Sequence, residues 1–309
     1  MTAETVPDSL ESRAGARRRA TLIGALAPLL WASLALLTTA AQPLPPFQLV
    51  FLTFSVAFLM ALVKWRLERG RGGASPLAHL RLPWRVWALG VGGLFGYHIL
   101  YFNALGRAPA VEASLICYLW PLLTVLFSAL LPGERLRAVH VLGTAIGLAG
   151  AALLVTRGEA LAIDPRHAAG YLFALGCAFW WAGYSVLSRR FGEVSSDAVG
   201  GFCGATALCG LAAHLLFEDW VAPDAGNALA ALLLGLGPVG AAFFFWDWGV
   251  KRGDIQALAA LSYLSPLLST LLLILAGRAS ASWVVAGACL LIVGGAALAA
   301  GGLFARRRS

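Results

Sequence analysis

The stretch ASLICYLWPLLTVL at residues 113–126 returns as LAALSYLSPLLSTL at residues 258–271, 145 positions later. In both copies Tyr precedes Pro by three residues, and each copy lies in the fourth of five long apolar runs. Because five is an odd number, two copies that both cross a membrane must run through it in opposite directions. Inverted repeats of this kind are typical of secondary transporters, with binding sites near the middle of the bilayer between the repeats. The aligned pairs are Tyr118 with Tyr263 and Pro121 with Pro266.

The composition independently indicates a membrane protein. Of the 309 residues, 60% are hydrophobic and 12% are charged, whereas soluble domains carry about 25% charged residues. Ten apolar runs are long enough to cross ~30 Å of hydrocarbon as helices, and the short alternating segments of a β-barrel are missing from the sequence. We therefore predict an all-α membrane protein with ten transmembrane helices in two inverted five-helix repeats. The predicted spans one to ten are 21–40, 46–63, 86–106, 110–131, 138–156, 168–188, 197–217, 228–250, 255–276 and 283–304.

The Lys and Arg residues predict the orientation. Nineteen of the 23 fall in segments on the same side as the N-terminus, and four fall on the other side. Since Lys and Arg accumulate in cytoplasmic segments, we predict that both termini are cytoplasmic. The predicted organisation is a cytoplasmic tail 1–20, a first repeat 21–156, a second repeat 157–304 and a basic cytoplasmic tail 305–309.

Charge and motifs also limit the function classes. The net charge of +8 is explained by topology, so the expected surroundings are a lipid bilayer and not a nucleic acid. No GxSxG, HExxH, Walker motif or paired-carboxylate spacing is present in the sequence. The sequence therefore predicts no enzyme, no metal site and no cofactor, and we expect a monomer or weak oligomer.

Several aromatic and ionisable side chains lie well inside the predicted spans. Tyr97, His98 and Tyr101 share an arc of about 100° on span three. A titratable group such as His98 is costly within a bilayer and so becomes a functional candidate. Glu112, at the start of span four, is a second candidate for proton coupling. Tyr118, Trp120 and Trp181 are interpreted as walls of a cavity, with packing in the core as the alternative.

The segment ALGRAPAVEASLICYLWPLLTVLFSALLPGERL, residues 104–136, resembles the drug/metabolite transporter superfamily of the EamA type. GYHILYFNAL and VEASLICYLWPLL are similar to the YddG branch, which comprises bacterial aromatic amino acid exporters. The closing Gly133-Glu134 pair has no equal in the second half, where Arg278-Ala279 stands instead. The resemblance implies that the substrate path is lined by Tyr97, His98, Tyr101, Tyr118, Trp120, Pro121, Trp181, Gln256 and Tyr263.

The resemblance also implies a function. It predicts export of Phe, Tyr and Trp across the bacterial inner membrane. The inverted repeat favours alternating access. Because an aromatic amino acid has no net charge at neutral pH, we expect it to run down its own gradient. An exporter of other amino acids, metabolites or flat cationic drugs is an alternative, with proton coupling through His98 or Glu112. A channel-like or structural membrane protein is a more distant alternative.

Overall fold

The computed structural model describes residues 10–72, 75–160, 164–275, 277 and 280–304. Every regular element within these ranges is a helix, which confirms the predicted all-α class. Some sequence predictions concern residues outside the described ranges. These residues are 1–9 of the N-terminal tail, Arg278, Ala279 and the basic tail 305–309.

Ten helices of the described chain are long and apolar enough to cross a membrane, as predicted. The largest differences from the predicted bounds are at the start of span one and the end of span two, where the helices continue into polar sequence. Arg, Lys and Glu are good helix formers, so these helices extend beyond the point where hydropathy falls. The spans are Arg13–Ala40, Pro46–Gly70, Trp84–Leu105, Ala110–Ser128, Ala138–Thr156, Pro165–Arg190, Ala198–Phe217, Ala225–Arg252, Ile255–Leu272 and Trp283–Ala300.

The two repeated Tyr–Pro segments coincide with breaks in spans four and nine. Pro121 lies in the first turn after the break in span four, where its missing N–H removes no helical hydrogen bond. Pro266 is the third residue after the equivalent break in span nine. The helical segments are Ala110–Cys117 and Trp120–Ser128 in span four, and Ile255–Leu261 and Leu264–Leu275 in span nine.

Span eight is interrupted at the sequence GLGPVG, residues 235–240. A π-helical turn, Gly237–Ala241, separates the helix Ala225–Leu236 from the helix Ala242–Arg252. The indole Nε1 of Trp31 donates a hydrogen bond to the Pro238 carbonyl at 3.0 Å. The interruption therefore provides a backbone acceptor for a side chain on span one.

The spans pack in pairs that follow the repeat. Span five packs along span ten and span two along span seven, so equivalent spans of the two halves contact each other. The packing of span three on span six has its counterpart in span eight on span one. This arrangement is compatible with two five-helix halves related by an approximate two-fold axis.

Two arginines reveal the relative direction of spans one and six. Arg17 near the start of span one and Arg189 near the end of span six both contact the Glu134 carboxylate, at 3.1 and 2.6 Å. The start of one helix therefore lies beside the end of the other. The first spans of the two halves run in opposite directions, as an inverted arrangement requires.

Candidate functional site

Six aromatic side chains from five spans meet inside the helix bundle, and we call them the aromatic cluster. Trp181 on span six is at its centre. The Trp181 ring centroid lies 5.3 Å from that of Tyr97, 5.8 Å from those of Trp31 and Phe243, and 6.3 Å from that of Trp120. The members are Trp31, Tyr97, Trp120, Trp181, Phe243 and Trp246.

Most of these rings meet edge to face. Trp120 is nearly perpendicular to Trp31, Trp181 and Trp246, with interplanar angles of 87°, 83° and 85°. The positive edge of one ring then faces the negative face of another, an arrangement worth about 0.5–1.5 kcal/mol per pair beyond area burial. A flat aromatic ligand could form the same contacts with these walls.

The polar atoms of two cluster indoles are fixed by hydrogen bonds. Trp31 uses the Pro238 carbonyl, and Trp246 Nε1 donates to Ser185 Oγ at 3.0 Å. Because a buried indole N–H without a partner is costly, these bonds orient both rings. Two rings of the aromatic cluster therefore have fixed orientations.

The predicted residues of span three form a half-buried rim beside the cluster. Tyr97 stacks on Tyr101 with ring centroids 5.9 Å apart and an interplanar angle of 9°. His98 lies edge to face against Phe54 and Phe102, and its Nδ1 is 2.7 Å from the Leu94 carbonyl oxygen. A proton on Nδ1 would be donated to this backbone oxygen. Half-buried Tyr118 and buried Pro121 lie at the break in span four.

Two predicted site residues, Tyr263 and Gln256, lie outside the aromatic cluster. Tyr263 is fully buried, and its hydroxyl donates to the Tyr118 carbonyl at 2.9 Å. Gln256 Nε2 donates to Ser128 Oγ at 2.9 Å and to the Arg135 carbonyl at 3.4 Å. Tyr263 therefore joins spans four and nine at their breaks, whereas Gln256 joins the start of span nine to the end of span four and the loop that follows it.

Charged side chains close one end of the bundle, and we call Arg17, Glu134, Arg189 and Asp254 the carboxylate–arginine network. Besides its contacts with Glu134, Arg17 lies 3.2 Å from Asp254 Oδ2. Arg189 Nη1 donates to the carbonyls of Val250 and Gly253, both at 2.8 Å. The network thus joins spans one and six to the loops after spans four and eight.

A smaller polar contact lies at the opposite end. Tyr171 on span six donates a hydrogen bond from its hydroxyl to Glu112 Oε2 at the start of span four. Accessibility of the cluster region differs between the two ends. Tyr101 near the Glu112 end is half-buried, whereas Trp246 towards the carboxylate–arginine network is 1% exposed. Of these two aromatic side chains, the one nearer the network is therefore the more deeply buried.

The sequence profile of the EamA-like transporter family matches this chain twice, over residues 18–156 and 168–301. The chain belongs to the EamA-like transporter family. This confirms the resemblance inferred from residues 104–136. Each of the two matches contains one of the repeated Tyr–Pro segments.

Individual relatives extend over nearly the whole transporter. The aromatic amino acid exporter YddG of Ancylobacter novellus is 52% identical over 292 residues, which are 94% of this chain and 99% of that one. The aromatic amino acid exporter YddG of Salmonella typhimurium is 27% identical over 272 residues, 82% of this chain and 87% of that one. A protein of known crystal structure is 51% identical, with a TM-score of 0.86, covering 92% of this chain and 98% of that one.

Sequence reasoning had not assigned Trp31, Phe243 or Trp246 to the site of this transporter. A signal for Trp31 was available, because it is the repeat partner of Trp181 at an offset of 150, and the two rings lie 5.8 Å apart. A signal for Phe243 and Trp246 was also available, because both follow the stretch GLGPVG, residues 235–240, within span eight. Neither signal specified which neighbouring span the rings would face.

One group of side chains in the described part of the transporter has the composition of a metal site. The ligand atoms of Glu68, His79 and Asp197 lie within 4.8 Å of one another. Lys64 Nζ is 2.7 Å from Glu68 Oε1 and also contacts Asp197 Oδ1. Since this ammonium group already occupies the space between the two carboxylates, we assign no metal to them.

Proposed function

We propose that this transporter exports aromatic amino acids by alternating access. The observation that carries the proposal is the position of Trp181, whose ring meets five other members of one aromatic cluster in the centre of the bundle. A Phe, Tyr or Trp side chain has the shape and quadrupole that such walls prefer. The names of the Ancylobacter and Salmonella relatives support the same substrate class.

The proposed substrate path combines the aromatic cluster with the rim of span three. Its predicted members are Tyr97, His98, Tyr101, Tyr118, Trp120, Pro121 and Trp181, to which we add Trp31, Phe243 and Trp246. We propose a different role for Gln256 and Tyr263. Tyr263 links spans four and nine at their breaks, and Gln256 links the end of span four to the start of span nine. They would thus hold the contact between the two spans while the halves 21–156 and 157–304 rock.

Orientation follows from the charge distribution. We propose that the carboxylate–arginine network faces the cytoplasm, since it lies at the Lys- and Arg-rich end of the bundle. Both termini would then be cytoplasmic, and the Glu112 end would face the periplasm of a bacterial inner membrane. In this orientation the more deeply buried Trp246 would lie on the cytoplasmic side of the aromatic cluster.

Reporter fusions test this orientation. A fusion after residue 75 and one at the C-terminus should give cytoplasmic reporter activity, and a fusion near residue 162 should give periplasmic activity. The expectation rests on the predicted 19-to-4 distribution of Lys and Arg. A periplasmic C-terminus would contradict the proposed orientation, and if the fusion after residue 75 were cytoplasmic it would also contradict the even number of crossings.

Counterflow in proteoliposomes tests the function itself. Vesicles containing the purified chain and unlabelled Phe should take up labelled Phe, Tyr and Trp transiently above the equilibrium level, and labelled Ala much less. Counterflow requires a site that is exposed alternately on the two sides, so an open channel would not produce it. Equal counterflow of Ala and Phe would contradict aromatic selectivity, and uptake without counterflow would contradict alternating access.

A further inference from the structure

An ion pair is buried within span eight, close to the aromatic cluster. Lys251 Nζ lies 2.8 Å from Asp247 Oδ2, and the two side chains are 3% and 2% exposed. Lys251 also donates to the Val194 carbonyl at 3.0 Å. Asp247 Oδ2 is buried and faces this ammonium group without the geometry of a directed hydrogen bond. The carboxylate oxygen is therefore held mainly by charge, which another cation could also provide.

Two helix faces connect this pair to the aromatic cluster. On span eight, Phe243, Asp247 and Lys251 follow one another at intervals of four residues, so they share one face. On span six, Trp181 contacts Tyr184, with ring centroids 5.3 Å apart. Tyr184 in turn lines a small cavity together with Asp247 and Lys251. Aromatic and charged groups therefore form one continuous surface between spans six and eight.

The chemistry of this surface complements an amino acid zwitterion. The aromatic cluster provides ring contacts but no formal charge, whereas a substrate carries an ammonium group and a carboxylate beside its ring. Buried opposite charges are costly to maintain and add little stability compared with a packed apolar pair. Ionisable groups retained within a bilayer commonly mark a substrate or ion path.

We propose that Asp247 and Lys251 recognise the ammonium and the carboxylate of the substrate on the cytoplasmic side of the aromatic cluster. This inference rests on the proposed function. The cavity beside the pair has a volume of about 10 Å³, too small for an amino acid, so the cytoplasmic end must open first. The substrate's ammonium group then pairs with Asp247 and its carboxylate pairs with Lys251. Each charge keeps an opposite partner, so no net charge is left in the bilayer at any stage.

Charge-deleted substrate analogues test the inference. The initial rate of labelled Phe counterflow is measured in proteoliposomes for the wild type, Asp247→Asn, Lys251→Gln and the double variant. Unlabelled Phe, phenethylamine or 3-phenylpropionate is added as competitor and equilibrated on both sides, so that permeation of the analogues does not matter. Phenethylamine presents only the ammonium group, and 3-phenylpropionate presents only the carboxylate.

A reciprocal change in selectivity is expected. Lys251→Gln leaves Asp247 without a cation, so the apparent affinity of phenethylamine as a competitor should increase about tenfold relative to that of Phe. Asp247→Asn should favour 3-phenylpropionate to a similar extent, since a tenfold change corresponds to about 1.4 kcal/mol. The double variant should lose the preference of the wild type for Phe over both analogues. Glu68→Gln is the matched control, because Lys64 and Glu68 form an exposed pair with the same spacing, and it should retain the wild-type order.

The outcomes separate the two proposals. If the wild type shows no Phe counterflow, the proposed function is wrong and the inference is wrong with it. If the wild type transports but every variant keeps the wild-type order of competitors, only the inference is overturned and the pair is structural. If the single variants fail to elute as monodisperse protein, the double variant tests the inference instead, because it leaves no unpaired charge in the interior. A double variant that still prefers Phe over both analogues would overturn the inference.

Discussion

At the scale of single residues, Trp181 illustrates what the sequence could and could not predict. Its place inside span six and its repeat partner Trp31 were visible in the sequence. The rings that surround it come from spans one, three, four and eight. Helical periodicity defines a face of one helix, but the neighbour of that face depends on how all the helices pack. For this reason Gln256 and Tyr263, predicted for the same site, are found fastening spans four and nine.

Removal of the Trp181 ring should weaken substrate binding. Trp181→Ala is expected to raise the concentration of Phe needed for half-maximal transport by about tenfold, because one or two aromatic contacts of about 0.5–1.5 kcal/mol each are lost. Trp181→Phe should cause a smaller increase, since it keeps a ring in the cluster. The measurement is the concentration dependence of labelled Phe uptake by proteoliposomes.

Trp283→Ala is the control for this prediction. Trp283 is 92% exposed at the start of span ten, so its removal should leave the concentration dependence unchanged. Protein yield and a monodisperse elution profile separate loss of binding from loss of folding. Normal Phe affinity in a well-folded Trp181→Ala variant would show that the aromatic cluster is ordinary core packing.

At the scale of helices, the two prolines are visible in the sequence but the contacts made beside them are not. Proline in a helix interior removes a hydrogen bond, and the breaks in spans four and nine place Pro121 and Pro266 near the start of a new helical segment. The hydrogen bond from the Tyr263 hydroxyl to the Tyr118 carbonyl joins the two breaks across the halves of the molecule. Such a contact depends on the distance between two spans, which a repeated motif does not provide.

The crossing of spans five and ten yields a second prediction. A Cβ atom on Gly295 would lie 2.4 Å from the Gly143 carbonyl oxygen, which leaves no space for a side chain. Gly295→Val should therefore separate the two spans and lower the melting temperature, since overpacking costs about 1–3 kcal/mol. The melting temperature is measured by the loss of the monodisperse elution peak after heating.

The adjacent glycine is a matched control for this crossing. A Cβ atom on Gly294 would meet nothing within 4 Å, so Gly294→Val should cause little change. Both variants place the same β-branched residue in the same helix, and their intrinsic cost is therefore similar. Equal destabilisation by both would mean that helix propensity and not the interhelical contact sets the effect.

At the scale of the whole molecule, two sets of charged groups on one side of the aromatic cluster are each balanced. The carboxylate–arginine network contains two carboxylates and two guanidinium groups. Asp247 is paired with Lys251. The ring neighbours of His98 are Phe54, Tyr97 and Phe102, and its Nδ1 lies beside a carbonyl of its own helix. This arrangement favours the movement of a neutral substrate without a coupled ion.

The driving force follows from this balance and is the final prediction. An aromatic amino acid is a zwitterion at neutral pH, so its crossing gains nothing from a potential that contributes ~2.3 kcal/mol per unit charge at 100 mV. Labelled Phe should therefore equilibrate across proteoliposomes with no imposed gradient, and an imposed proton gradient should not drive it above equilibrium. The internal and external Phe concentrations are measured after long incubation, with empty liposomes as the control. Accumulation above equilibrium that disappears in His98→Ala would establish proton coupling, because His98 would then have to exchange its proton despite its aromatic surroundings.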